Sequence, residues 1–132
     1  MKHILLVHDE QEDPGTRKLY LESVGYLVTL CPGAQECLRL LDNQRPDVVV
    51  MDVLIRGQNG FEVCRRIRER FTPAELPVIL CSAVYRKRVF REEAWDAGAQ
   101  GYLLKPVDPE DLVTHIEAVA DRTARQTQGS PA

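Results

Sequence analysis

The chain has 132 residues, which is the size of one domain, because single domains are commonest at about 100 to 150 residues. Hydrophobic residues make up 44% and charged residues 28%, a balance that excludes a disordered chain. The net charge of -3 argues against a broad nucleic-acid-binding surface, so we expect no direct contact with nucleic acid. Arginines cluster locally at positions 65, 66, 68 and 70, which we interpret as a solvated helix face.

The apolar segments are too short to cross a membrane, because none approaches about 18 residues. The N-terminus leads directly into a strand-like run, without the apolar stretch or cleavage site of a signal peptide. The four cysteines show no CxxC pair or metal-ligand spacing and lie beside apolar segments, which favours buried, reduced thiols. We therefore expect a cytoplasmic protein without membrane contact.

Five strand-like runs alternate with five segments of helical periodicity. The predicted strands are 2–8, 26–31, 48–52, 76–81 and 100–104. The predicted helices are 14–24, about 34–44, about 61–70, 86–97 and about 109–122. This alternation is typical of a parallel sheet covered by helices on both faces. Because such crossovers are right-handed, we predict an α/β fold with a doubly wound five-stranded parallel sheet and five helices.

Cap residues mark the ends of several predicted helices. Asp13-Pro14 and Asp108-Pro109 each pair an N-cap residue with a proline suited to the first helical position. Gly25 should end the first helix, and Gly98 should cap the fourth in the left-handed conformation. We predict one domain over residues 1–122 and a disordered tail over residues 123–132.

Polar side chains stand at the ends of four predicted strands. Asp52 closes the apolar run 48–51, whose continuous hydrophobicity is typical of a central strand. Because the carboxyl ends of parallel strands lie at one edge of a sheet, the polar side chains should converge there. They are His8 and Asp9, Asp52, Ser82 and Lys105. An ionised carboxylate at such an edge usually faces a pocket, a metal or a phosphate, and Mg²⁺ prefers oxygen ligands such as Asp9 and Asp52.

Four motifs occur in order along the chain: ILLVHDE, PDVVVMDVLIRGQNGFEV, LPVILCSA and GAQGYLLKP. Together they resemble the response-regulator receiver domain of two-component signalling, in its standalone chemotaxis-type form, over residues 2 to about 119. The resemblance implies a flavodoxin-like fold with strand order 2-1-3-4-5. It also implies a signalling domain rather than an enzyme, with catalysis restricted to its own phosphorylation and dephosphorylation.

The resemblance assigns a role to each residue at the sheet edge. Asp52 would accept a phosphoryl group from a histidine kinase or a phosphotransfer protein. Asp9, Asp52 and the main-chain carbonyl of Leu54 would bind Mg²⁺. Ser82 would donate a hydrogen bond to the phosphoryl oxygens, and Lys105 would neutralise their charge.

The resemblance also implies how the signal leaves the site. Tyr102, three residues before Lys105, would rotate inward when Ser82 moves toward the phosphoryl group. The affected surface would comprise the fourth helix, the fifth strand and the fifth helix. A downstream protein or a second copy of the chain would read this surface. The peptide bond before Pro106 is expected to be cis, which would aim Lys105 into the site.

Two positions depart from the family pattern. His8-Asp9 stands where such domains commonly carry an acidic pair, so His8 replaces a residue that helps to hold the metal through water. Its substitution should lower Mg²⁺ affinity, and a positively charged imidazole could partly replace the cation. Arg56 stands where a proline is common, and a solvated loop arginine is its simplest interpretation.

Two other functions remain open at this point. One is a pseudo-receiver, a protein interaction module that is not phosphorylated, which His8 favours. The other is an unrelated doubly wound ligand-binding protein, which is disfavoured because the first strand-to-helix loop lacks a glycine-rich phosphate-binding sequence.

Overall fold

A computed structural model of the chain describes residues 2–8, 14–55 and 57–128, with side chains described as far as residue 120. Asp9, Asp13 and Arg56, which the sequence analysis singled out, lie outside the described residues. The roles predicted for these three positions therefore stay predictions.

The described ranges contain seven strands and five helices. The strands are β1 (His3–Val7), β2 (Leu27–Cys31), β3 (Val48–Asp52), β4 (Leu54–Ile55), β5 (Gln58–Asn59), β6 (Val78–Ser82) and β7 (Gly101–Leu104). The helices are α1 (Gly15–Ser23), α2 (Ala34–Asn43), α3 (Gly60–Arg68), α4 (Arg88–Asp96) and α5 (Pro109–Gln128).

Five of the strands form one parallel sheet in the order β2-β1-β3-β6-β7. This confirms the predicted order 2-1-3-4-5, because β6 and β7 are the fourth and fifth predicted strands. The central strand β3 is apolar throughout because alternate residues enter two different cores. Val49 and Met51 pack with residues of α2, α3 and α4, whereas Val48 and Val50 pack with residues of α1 and α5.

The two remaining strands, β4 and β5, form a short antiparallel hairpin that the sequence analysis predicted as a loop. Strands of two residues are too short to show a hydrophobic period, so this element leaves no sequence pattern. Gly57 lies between the strands with φ +70, a left-handed conformation that glycine adopts without strain. Asn59 ends the hairpin and caps α3, because its side-chain oxygen accepts a 2.8 Å hydrogen bond from the Phe61 amide.

Most predicted helix ends are confirmed. Gly25 and Gly98 have positive φ values, and Asp108 caps α5 by accepting a hydrogen bond from the Glu110 amide at 2.8 Å. The last helix continues to Gln128, beyond the end predicted near residue 122, because residues 121–128 include neither glycine nor proline. The predicted disorder of residues 123–132 stays a prediction, although α5 includes residues 123–128. The domain boundary itself stays a prediction.

No helix within the described ranges combines the length and the apolar character needed to cross a membrane.

Candidate functional site

Asp52 is the last residue of the central strand β3 and is 3% exposed. Its Oδ1 lies 2.8 Å from the Nζ of Lys105, which follows β7. Parallel register brings the two together, since Asp52 pairs with Cys81 of β6 and Ser82 of β6 pairs with Leu104 of β7. The predicted convergence of Asp52 and Lys105 is confirmed.

Ser82 ends β6, one residue beyond the register partner of Asp52, and is also buried. Its Oγ accepts hydrogen bonds from the amides of Val84 at 3.2 Å and Tyr85 at 3.0 Å. A hydroxyl has two lone pairs and one proton, so these two amides leave the proton as its remaining capacity. Ser82 is therefore arranged as a hydrogen-bond donor, and an added anion would compete for this proton with the Tyr102 side chain.

Lys105 is held at the sheet edge through its main chain. Its amide donates to the Ser82 carbonyl at 2.9 Å, and its carbonyl accepts from Arg86 Nη1 at 2.8 Å. The predicted cis peptide bond between Lys105 and Pro106 is present. These contacts fix the backbone of Lys105, so its side chain extends to Asp52.

Arg17 is a second cation at this site, and the sequence analysis missed it. Its Nη1 lies 3.9 Å from Oδ1 of Asp52, and its side chain is 15% exposed. A cleft of about 370 Å³ beside it is lined by Arg17, Ala83, Lys105, Pro106 and Val107. A signal was present in the sequence, because Arg17 precedes the fully buried Leu21 by four residues and so lies on the inward stripe of α1.

The predicted magnesium ligands are only partly described. His8 lies at the same edge, is buried and donates its amide to the Cys31 carbonyl at 3.0 Å. Within the described ranges, no group of three or more His, Cys, Asp or Glu side chains could hold a metal. The carboxylate of Asp52 and the main-chain carbonyl of Leu54 are oxygen donors of the kind that Mg²⁺ prefers. The donor chemistry therefore fits a hard cation held by few protein oxygens, with Asp9 as its further predicted ligand.

Tyr102, the predicted switch residue, is already turned inward and is 8% exposed. Its hydroxyl donates a 2.6 Å hydrogen bond to the Tyr85 carbonyl, and its ring stacks on Phe61 with a centroid distance of 6.2 Å. Burial raises the pKa of the Tyr102 phenol, and a side-chain hydrogen bond with Ser82 acts in the opposite direction. The predicted switch requires an inward and an outward packing of the Tyr102 ring, and the structure shows the inward one.

The surface formed by α4, β7 and α5 is basic beside Tyr102. A cleft of about 460 Å³ is lined there by Arg86, Lys87, Arg88, Arg91, Tyr102 and Leu104. On the next turn of α4, Trp95 is 61% exposed. An exposed tryptophan beside a basic cleft has the composition of a protein-binding surface.

Comparisons with known proteins agree with this geometry. The family model of the response regulator receiver domain matches residues 4–117. The transcriptional regulatory protein AfsQ1 of Streptomyces coelicolor is 35% identical over 130 residues, which are 98% of this chain and 56% of AfsQ1. An uncharacterized 14.6 kDa protein of Leptolyngbya boryana is 36% identical over 114 residues, which are 86% of each chain.

A solved structure has the same fold. A CheY-like response regulator receiver domain protein from Methanospirillum hungatei superimposes with a TM-score of 0.85 at 27% identity, covering 96% of this chain and 98% of that one. The chain thus matches the whole of this structure but spans only about half the length of AfsQ1. On its family-model match, its relatives and its fold, the chain belongs to the response regulator receiver domain family.

Proposed function

We propose that the chain acts as a response regulator that accepts a phosphoryl group on Asp52 from a histidine kinase or a phosphotransfer protein. The observation that carries the proposal is the buried Asp52 carboxylate with Lys105 Nζ at 2.8 Å, at the edge of a receiver fold. Burial of a carboxylate is costly, and a cation at hydrogen-bonding distance keeps it ionised and able to act as a nucleophile.

The reaction is a transfer between two nucleophiles. A carboxylate oxygen of Asp52 forms a bond to phosphorus, the bond from phosphorus to the histidine nitrogen breaks, and that nitrogen takes the electron pair. Lys105 stabilises the charge on the phosphoryl oxygens, and the Ser82 hydroxyl donates to one of them. Bound Mg²⁺, held by Asp9, Asp52 and the Leu54 carbonyl, would neutralise further phosphoryl charge.

The output is a change in the surface of α4, β7 and α5. The Ser82 hydroxyl oxygen accepts from the Tyr85 amide, and the Tyr85 carbonyl accepts from the Tyr102 hydroxyl. A phosphoryl group that draws on Ser82 would therefore bias the packing of Tyr102. The reader of the surface would be a downstream protein or a second copy of the chain, and the basic cleft favours a partner with acidic side chains.

The proposed setting is the cytoplasm. None of the four cysteines forms a disulfide, and all four are buried, which suits a reducing compartment.

A pseudo-receiver is the second candidate function. His8 favours it, because a site with one carboxylate fewer holds a divalent cation less well. In that case the chain would bind partners through the surface of α4, β7 and α5 without being phosphorylated.

Incubation with acetyl phosphate and Mg²⁺, followed by intact mass spectrometry, separates the two functions. A receiver gains one phosphoryl group, Asp52→Asn gains none, and the exposed Asp96→Asn control behaves as the wild type. An adduct retained in Asp52→Asn would place the acceptor elsewhere. The absence of any adduct on the wild type with Mg²⁺ or Mn²⁺ would favour the pseudo-receiver.

A further inference from the structure

Arg17 and Lys105 approach the same carboxylate oxygen of Asp52 from two different elements of the fold. Lys105 follows β7, whereas Arg17 extends from α1, and their nitrogens lie 2.8 and 3.9 Å from Oδ1 of Asp52. Both side chains are largely buried, with 20% and 15% of their surfaces exposed. Two cations beside one carboxylate provide more positive charge than that carboxylate alone balances. The excess would stabilise a negative group added to Asp52.

The two cations also line one cleft. The cleft of about 370 Å³ is lined by both Arg17 and Lys105. A planar guanidinium can donate two parallel hydrogen bonds to phosphoryl oxygens, whereas an ammonium acts as a compact charge.

The same two cations oppose a divalent metal. His8 removes one carboxylate from the family pattern, and Arg17 adds one positive charge near the acceptor. Fewer oxygen ligands and a nearby like charge each lower the affinity expected for Mg²⁺. Through Arg17, the chain therefore supplies part of the positive charge that a bound metal would otherwise supply.

We propose that Arg17 is a second cationic ligand of the phosphoryl group on Asp52, so that phosphorylation has a weakened requirement for Mg²⁺. The inference rests on the proposed function. In the reaction with acetyl phosphate, an oxygen of Asp52 bonds to phosphorus and acetate leaves with the electron pair of the broken bond. Arg17 donates to the phosphoryl oxygens during this transfer and holds the product.

The first test compares phosphorylation rates in Mg²⁺ and in EDTA. Arg17→Gln should lose about tenfold of the wild-type rate in EDTA and much less in saturating Mg²⁺, because the metal then supplies the missing charge. Arg17→Lys should recover part of the EDTA rate. Lys18→Gln is the matched control, since Lys18 lies on the same helix and contacts Glu22 on the surface. Equal EDTA rates for the wild type and Arg17→Gln would overturn the proposal.

The second test is Mg²⁺ binding by calorimetry, which needs no phosphorylation. Removing the guanidinium should tighten Mg²⁺ binding about threefold or more in Arg17→Gln, with Lys18→Gln unchanged. Equal affinities in the wild type and Arg17→Gln would overturn the proposal even if every variant is phosphorylated. A wild type that never forms an adduct, yet binds Mg²⁺ more weakly than Arg17→Gln, would reject the proposed function while retaining the charge role of Arg17.

Discussion

Each edge of the sheet holds a charged side chain, buried for Asp52 and partly buried for Arg68, and the partners of the two differ. At the carboxyl edge, Asp52 is flanked by Lys105 and Arg17, and these two cations line a cleft. At the amino edge, the guanidinium of Arg68 donates to the carbonyls of Gly98 and Leu76, each at 2.8 Å. It also donates to the Phe71 carbonyl at 3.3 Å and to the side-chain oxygen of Gln100 at 2.6 Å.

The partners distinguish a structural charge from a reactive one. Neutral carbonyls surround Arg68 and use its donors, so burial lowers the pKa of its guanidinium while the group remains charged and fixed. Asp52 instead faces two opposite charges, which would also stabilise a negative group added to its carboxylate. A buried charge is therefore evidence of a site when its partners are charges that an added ligand could share.

The largest expected loss of stability comes from a substitution at the amino edge of the sheet. Arg68→Gln should destabilise the fold by about 3 kcal/mol or more, because several buried carbonyls lose a charged donor. Arg17→Gln should cost less, about 1 kcal/mol, because its nitrogen lies 3.9 Å from Asp52 and Lys105 still neutralises that carboxylate. Urea unfolding followed by circular dichroism measures both variants. Equal losses would mean that Arg17, like Arg68, serves the fold.

A smaller effect is expected from a glycine that supports the carboxyl edge. A Cβ on Gly60 would lie 2.7 Å from both the Asp52 carbonyl oxygen and Val53 Cα, and backbone cannot move aside easily. Gly60→Ala should therefore cost about 2 kcal/mol and also slow phosphorylation, because Asp52 must shift. In the control Gly101→Ala, the nearest contact is the Ile79 side chain at 3.4 Å. Similar urea midpoints for the two variants would contradict the prediction.

The smallest expected effect concerns the neutral interior between the two edges. Burial raises the pKa of Cys31 and Cys64 to about 11 and that of Cys37 to about 12, from an ordinary value of 9.0. Folding thus favours the protonated thiols, and their contribution is complete below pH 9 and declines as the pH rises toward 11 or 12. The Cys37 thiol ionises at a lower pH in the unfolded chain than in the folded protein. This difference lowers the free energy of unfolding by roughly 1 kcal/mol between pH 9 and 10.

Urea unfolding at pH 8, 9 and 10 tests this sign. The loss of stability above pH 9 should be smaller in Cys37→Ala than in the wild type, because the variant lacks one of the ionising thiols. An identical pH dependence in the two proteins would show that the Cys37 thiol is not the group that titrates.

The sheet and its five helices were predictable because their signals are local. Continuous apolar runs, cap residues such as Asp108 and the terminating Gly25 each lie within the element they specify. The convergence of Asp52 and Lys105 followed from one topological rule, that parallel strands end at one edge.

The missed features depend on contacts between distant parts of the chain. The arginines of α3 were interpreted as a solvated face, which was wrong for Arg68, whose partners Gly98 and Gln100 lie 30 and 32 residues away in sequence. Arg17 was not predicted, because the apolar periodicity of α1 does not show which group an inward-facing arginine contacts on another element. The proposed roles of Asp9 and Leu54 rest on the family resemblance.

The link between site and surface also bears on how the sequence can change over evolution. Tyr85 makes this link entirely through its main chain, with its amide bound to Ser82 and its carbonyl bound to Tyr102. Position 85 can therefore accept most residues without loss of the linkage, although the stacking of its ring on Phe90 would change. Proline is the exception, because it has no amide hydrogen to donate. Under the proposed function, selection on the linkage at this position would act most strongly against proline.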